Sequence, residues 1–457
     1  MGRAFRLHGG VGYLAAILCG VGAVAGPHGD STPASGALTA LSGVAIRTNG
    51  WRLRQGAIPP APSAARAPTL RTVRVGVRPI AVAVDARTQR VFVVNGGPRM
   101  TNSLLPSGPG SVTTLDAMTG RRLRTVMVDW DPTGVAVDAR SGRVFVVSRG
   151  RPPRGRTTSL QGSVSVLDAT TGRLLRTVLV GAGGGYTIPA LIVDACSGRV
   201  FVPDPTGSIH MLDATTGRLL RTILAGGNPQ AVAVDARSGR VFVANGLGSG
   251  VVPNTDGSVN VLDATTGALR STVPLDLPTY AVAVDERAGR VFVDVENDAD
   301  RSNNVRVLDA TTGRPRQSID GAGGETLVTD PTAGRVLAVD STTFILTGSY
   351  VGLTVLDSRS GRVVNRATLE AEGGYAAAIA VDERTGHSFL ASAQQQFTSL
   401  SFLRTTVYVI DTRRGQVLRH FTVGTGPPAV AVDAQAGQVY VANGGDNTMS
   451  ILDAARL

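Results

Sequence analysis

Eleven residues, LDATTGRLLRT, run from Leu167 to Thr177 and return unchanged from Leu212 to Thr222. A string copied so faithfully at so short a distance marks a structural unit that stacks on copies of itself, and this constrains the fold more than any other feature. Variants begin at Leu115, Leu262, Leu308, Leu356 and Ile410, and a truncated one, LDA, begins at Leu452. Ahead of each lies a second string, clearest as AVAVDARSGRVFVAN from Ala231 to Asn245. Its aspartate recurs as Asp85, Asp138, Asp194, Asp235, Asp285, Asp330, Asp382 and Asp433, which makes eight copies spaced 41 to 56 residues apart. A chain of 457 residues exceeds what one core supports, and the even spacing favours one modular array over several unrelated domains.

Each unit parses into four strands. AVAVD and VFVAN are short, wholly apolar runs, as expected of strands covered on both faces. Between them DARSGR offers an aspartate to start a turn and a glycine where positive φ is needed. SVNVLD is the third strand, DATTGR a second hairpin of the same design, and RLLRTV the fourth strand. Four antiparallel strands per unit, with small residues in the first, describe the blade of a β-propeller. The second-strand ring recurs as Phe92, Phe145, Phe201, Phe242, Phe292 and Phe389, with Tyr440 in the last copy. These rings are predicted to fill the space between neighbouring blades. The expected fold is therefore all-β, a single propeller of eight four-stranded blades, with seven as the alternative; copies three and six are the most divergent. The last copy lacks a fourth strand, and TLRTVRVGVRP, Thr69 to Pro79, matches the missing piece at the other end of the chain. The ring is predicted to close by pairing residues 69–76 with the blade of residues 427–453.

Outside the array, Arg3 and Arg6 precede an apolar stretch from Val11 and the triplet Ala23-Val24-Ala25. This reads as a secretory signal over residues 1–25, too short for the roughly 20 residues of a spanning helix, so no transmembrane span is expected in the mature protein. Leu18 before Cys19 and apolar residues after it argue against lipid attachment there. Residues 26–66 are rich in Pro, Ala, Ser and Gly and read as a linker, leaving 67–457 for the propeller. Once the signal is removed Cys196 stands alone, so no intrachain disulfide forms. All 45 basic residues are arginine and the net charge is +11; the signal holds two of these charges and the linker a net three, leaving +6 on the repeats. That excess is modest, and aromatic residues, at 4%, are too few for a base-stacking surface.

The segment PPAVAVDAQAGQVYVANGGDNTMSILD, Pro427 to Asp453, resembles the YVTN family of β-propeller repeats, with VYVAN in place of the naming tetrapeptide. The likeness extends over residues 67–457. It implies an exported or surface-located propeller; some members of that family resemble seven-bladed lactonases, and others have been linked to DNA binding.

Antiparallel order puts the uniform DARSGR and DATTGR turns on one rim, and the irregular second-to-third loops and blade connections on the other. Loops carry function on a rigid scaffold, so the irregular rim is the expected site. Arg149, Arg151, Arg154 and Arg156 lie in one such loop with no acidic neighbour in sequence, and are candidates for binding an anionic polymer or protein ligand through guanidinium contacts. Asn95, Asn245 and Asn443 end second strands, beside Ser148, Asp204, Asp340 and Ser392, and are candidates for a shared ligand site; turn capping is the competing explanation. Glu296, Asp298 and Asp300 are candidates for calcium, although the loop lacks the glycine and glutamate of a twelve-residue calcium loop. Arginines of the uniform rim, such as Arg143, Arg199, Arg240 and Arg290, each have a turn aspartate nearby and read as structural.

No GxSxG, HExxH or CxxC motif is present, and of the five histidines none falls in an irregular-rim loop. The expected function is a non-catalytic binding or scaffold module of the envelope or exterior, without a cofactor. A lactonase-type hydrolase using carboxylates or a metal is the alternative, and nucleic-acid binding ranks third.

Overall fold

The structure is a computed structural model and describes residues 70–99, 108–150, 160–183, 191–204, 206–246, 257–297, 302–344, 348–369, 374–395, 402–426 and 428–454. The signal and linker assigned to residues 1–66 lie outside them. Thirty-two strands form eight separate four-stranded antiparallel sheets, and no α-helix occurs among the described residues. Consequently no described helix is long and apolar enough to cross a membrane.

Each sheet is one blade. Their strands run over Pro79–Trp130 in blade one, Pro132–Gly183 in two, Ile192–Leu224 in three, Asn228–Pro274 in four, Thr279–Ile319 in five, Thr326–Leu369 in six and Gly374–Thr422 in seven. Blade eight combines Pro428–Asp433, Gln438–Asn443 and Thr448–Asp453 with Leu70–Arg74 from the other end of the chain. The register of that closure pairs Leu70 with Leu452, Thr72 with Ser450 and Arg74 with Thr448. Eight blades and the offset closure are thus as the repeats predict. The divergent copies three and six both form complete blades, although the first strand of blade three is only Ile192–Asp194.

The fidelity of the repeated string has a local cause. In blade four the Asp263 carboxylate accepts hydrogen bonds from the Thr265 N–H (3.0 Å), the Thr266 N–H (2.8 Å) and the Thr266 hydroxyl (2.9 Å). The Thr266 N–H and then Arg270 do most to hold that carboxyl down to about 2. Gly267 follows with φ 71°, a conformation open to glycine. The same bonds recur at Asp168, Asp213 and Asp309. The turn after the first strand is built alike, Asp285 accepting from the N–H groups of Arg287 and Ala288 at 2.9 Å. Within a blade the two turns meet, the Ala264 N–H donating to Gly239 O at 2.9 Å, so both lie on one rim.

The apolar core lies between blades, and each junction has its own cluster. Phe92 of blade one packs with Val135 and Val144 of blade two, Phe242 of blade four with Val282 and Val291 of blade five, and Phe389 of blade seven with Val430 and Val439 of blade eight. Blade six uses Leu337 at this position, against Ile379 and Leu390 of blade seven. No blade buries its faces alone, which is why the unit must be repeated and the ring closed.

Two arginines that open second strands on the uniform rim are taken up by structure. Arg143 lies 3.2 Å from the Asp168 carboxylate and donates to Thr215 O of the next blade at 3.2 Å; Arg199 lies 3.3 Å from Asp213 and donates to Thr265 O at 3.4 Å.

Candidate functional site

The irregular rim is built from blade connections and the ends of second strands. Asn95, at the end of its strand, is fully buried. Its Nδ2 donates to Ser111 Oγ and Thr113 Oγ1 at 3.1 Å, while its Oδ1 accepts from the N–H of Gly76 in the preceding connection at 3.0 Å. Asn443 donates to Thr448 Oγ1 and Ser450 Oγ at 3.0 Å, and Asn245 to Ser258 Oγ at 3.3 Å. A side chain at Gly424 would come within 2.5 Å of Asn443, so that connection too is pressed onto the amide. Asn95 therefore holds its connection down from within its own blade, and Gly424 lies close against Asn443.

Blade three replaces this latch with a buried pair. His210 Nε2 lies 3.3 Å from Asp204 Oδ2, and its Nδ1 lies 3.1 Å from Thr222 Oγ1. With a neutral ring the network assigns the proton to Nε2, donating to the carboxylate, and lets Nδ1 accept from the hydroxyl. Burial pushes the Asp204 carboxyl up, but bonds from His210 and Thr206 outweigh it and leave it below the usual range. Both side chains are buried, so this aspartate–histidine pair presents no base to a solute.

Arg149 has the acidic partner that its sequence neighbours lack. Its guanidinium sits 2.6 Å from the carboxylate of Asp131, in the connection between blades one and two, and Arg78 approaches the other oxygen at 3.6 Å. Arg78 also donates to Gly96 O at 2.9 Å. The reading of Arg149 as free of acidic neighbours is corrected by this contact; Asp131 and Arg149 extend one strand pair of blade two, the Arg149 N–H donating to Asp131 O at 3.1 Å, and Arg78 reaches the same carboxylate from the connection before blade one. Arg151, Arg154 and Arg156 lie outside the described residues.

Across the ring, at blades five and six, carboxylates gather. Glu296 is buried at the end of a second strand, and Asp294, two residues earlier, is only 1% exposed. Asp294 Oδ1 accepts from the Gly324 N–H at 2.8 Å, and its Oδ2 is buried without a hydrogen-bond partner. Burial pushes its carboxyl well above the usual range, and the neighbouring Asp340, Glu325 and Glu296 add to the rise. Asn303 donates to Asp340 at 3.4 Å. Sequence reasoning missed Asp294 because it sits inside an apolar strand, RVFVDVEN, and missed Glu325 because only the ring brings that connection alongside. Asp298 and Asp300 lie outside the described residues; among those described, no three His, Cys, Asp or Glu side chains are arranged to hold a metal ion.

Comparison with known proteins places these features in a wider group. Residues 108–298 and 251–456 match the model of a family described as outer membrane protein assembly factor BamB. Among solved structures, BamB from Moraxella catarrhalis is similar with a TM-score of 0.54 and 15% identity, over 84% of this chain and 98% of that one. The computationally designed Ika8 protein is similar with a TM-score of 0.53 and 17% identity, over 83% of this chain and 97% of that one. At these identities the likeness is one of fold. No curated protein matches the chain.

Proposed function

Because the chain belongs to the family described as outer membrane protein assembly factor BamB, we propose that it is an envelope-associated, non-catalytic scaffold that binds a protein partner through its irregular rim. The observation that carries this reading is the polarity of that rim. Half-buried Glu325 and Asp340 stand beside the buried Asp294 and Glu296 at blades five and six, and the arginine-bearing loop of residues 149–156 belongs to blade two. In a ring of eight, blades two and six stand opposite. A surface with acid on one side and arginine on the other suits a protein of complementary charge, because such complementarity fixes orientation more than it adds affinity. The family's description, of a factor in outer membrane protein assembly, is in keeping with this.

The finer features of the reading are export, by the signal of residues 1–25, and kinship with YVTN-type repeats, which rests on Pro427 to Asp453. Arg149, Arg151, Arg154 and Arg156 are the proposed contacts on one side, with half-buried Glu325 and Asp340 on the other; Glu296, Asp298 and Asp300 are the proposed cation ligands, and Asn95, Asn245 and Asn443 the proposed polar ligand contacts. Should a cation bind, calcium at the acidic sector is the ion its oxygen donors suit.

The test is a photo-crosslinking amino acid placed at Glu325 on the irregular rim and, as control, at Gln435 on the uniform rim, in cells carrying the full chain. The expected result is a discrete protein adduct from position 325 alone, lost when Arg151, Arg154 and Arg156 are replaced by glutamate. Adducts from both rims or from neither, or stoichiometric metal together with lactone turnover by the purified protein, would overturn the reading.

A further inference from the structure

The outer wall of the ring is formed by fourth strands, and its exposed leucines concentrate in one sector. Leu174, Leu175 and Leu179 of blade two and Leu219, Leu220 and Leu224 of blade three are all at least 40% exposed, Leu224 reaching 80%. Leu269 continues the series in blade four at 51%. The three strands that carry them, Leu174–Gly183, Leu219–Leu224 and Leu269–Pro274, contain no acidic residue. Exposed among the leucines are Arg173, Arg176, Arg218, Arg221 and Arg270.

The sector is continuous across blades. A side chain at Gly217 would come within 2.7 Å of Val166, so the outer hairpin of blade three is seated on blade two, beside the register partner of Val166, Arg176. Gly267 repeats the arrangement one blade on, at 2.6 Å from Ile223 of blade three. Arg221 completes the join by donating to Thr266 O of blade four at 3.1 Å. Leucine and arginine are interspersed over a shared surface, Arg270 being paired with Asp263 of its hairpin, and the strands themselves contain no carboxylate.

A partner for this surface must be apolar and anionic together, and it must fit a convex wall. A rigid acidic protein would need a matching concave face, whereas a fluid interface adapts to the curve. We propose that blades two to four dock edge-on against an anionic lipid surface, the leucines entering the boundary between headgroups and acyl chains and the arginines engaging lipid phosphates. This surface runs from the outer wall onto the uniform rim and lies away from the irregular rim, so docking in this way leaves the irregular rim open to its own partner.

Flotation of the full chain with phosphatidylcholine vesicles, with and without phosphatidylglycerol, tests the proposal. The chain is expected to float with the anionic vesicles and to be released by high salt. Leu220→Ser with Leu224→Ser lowers partitioning roughly tenfold, and Arg176→Gln and Arg218→Gln lower it roughly fivefold each. Val363→Ser with Val364→Ser, on the wall of blade six, leaves it unchanged. Melting curves recorded for every variant establish that each remains folded. Equal flotation with neutral vesicles, no flotation, or indifference to the leucine changes overturns the proposal. Retention on soluble polyglutamate without vesicle binding overturns it in favour of an acidic protein.

Discussion

The Tyr440 hydroxyl donates a 3.0 Å hydrogen bond to the carbonyl oxygen of Ala117, although 323 residues of chain separate them. Tyr440 is fully buried at the junction where blade eight meets blade one, packed with Val82 and Val91, in the place that six other blades give to phenylalanine. The last junction of the ring thus has a polar tie in addition to its packing. Tyr440→Phe keeps the packing and removes the tie. The expected cost is about 1 kcal/mol, read from the denaturant midpoint with an unchanged slope.

Closure itself rests on Leu70–Arg74. A chain beginning at Val75 leaves the strand Thr448–Asp453 without its outer neighbour and exposes the Met449 and Ile451 side of the blade. Its melting temperature is expected to fall and its tendency to self-associate to rise. A synthetic peptide of residues 69–76 added in trans should restore the melting temperature in proportion to its concentration. An unchanged melting temperature in the shortened chain would contradict the closure described above.

Asp294 gives a pH dependence with a definite sign. Its folded pKa lies above the unfolded value, because burial and three neighbouring carboxyl groups favour the protonated form. The stability tied to its proton is fully present below the unfolded pKa, near 4, and is lost as pH rises toward the folded value. Asp294→Asn keeps an acceptor for the Gly324 N–H and carries no proton to lose. The variant should melt about 1–2 °C higher than wild type at pH 7, and the difference should vanish in acid, as measured by calorimetry across the pH range.

Two glycines separate crowding from backbone strain. Gly181 (φ 50°) lies under the buried pair of blade three, and a Cβ there would meet Asp204 Oδ2 at 2.0 Å and His210 Nε2 at 2.6 Å. Gly239 (φ 65°) has nothing within 4 Å. Gly239→Ala is expected to cost about 1–2 kcal/mol from the left-handed backbone alone. Gly181→Ala should cost about 3 kcal/mol or more, because the aspartate and histidine must also part. Chemical denaturation of the two variants checks the contrast.

What the sequence made legible was whatever repeats. Each copy states its own strands and turns, so Asp263, Thr266 and Gly267 announce a hairpin, and the missing fourth strand after Asp453 points to the stretch at Thr69. What it concealed were contacts that occur once and span blades. Asp131 and Arg149 extend one strand pair of blade two, but the carboxylate is shared with Arg78 from the connection before blade one, and nothing periodic marks the three as partners. Asp294 interrupts an apolar strand that the pattern assigns wholly to core, and its company of carboxylates exists only because Gly324 is folded against it. Asn95 and Asn443 were visible, but their role beneath the connections depends on how near Gly76 and Gly424 come.

The offset at which blade eight is completed has an arithmetical corollary. In six of the seven other blades, six residues link the last paired position of the third strand to the first of the fourth, as between Leu262 and Leu269; in blade seven the pairing runs one step further, to Asp411 and Gln416. Between Leu452 and Leu70 the corresponding residues are 453–457 and 69, also six when Leu457 is joined directly to Thr69. A single peptide bond there would turn the discontinuous blade into one hairpin like its siblings and give an endless ring. Such a ring has no privileged starting point, so a circularly permuted chain opened between Thr266 and Gly267 would move the seam to blade four and keep all eight junctions.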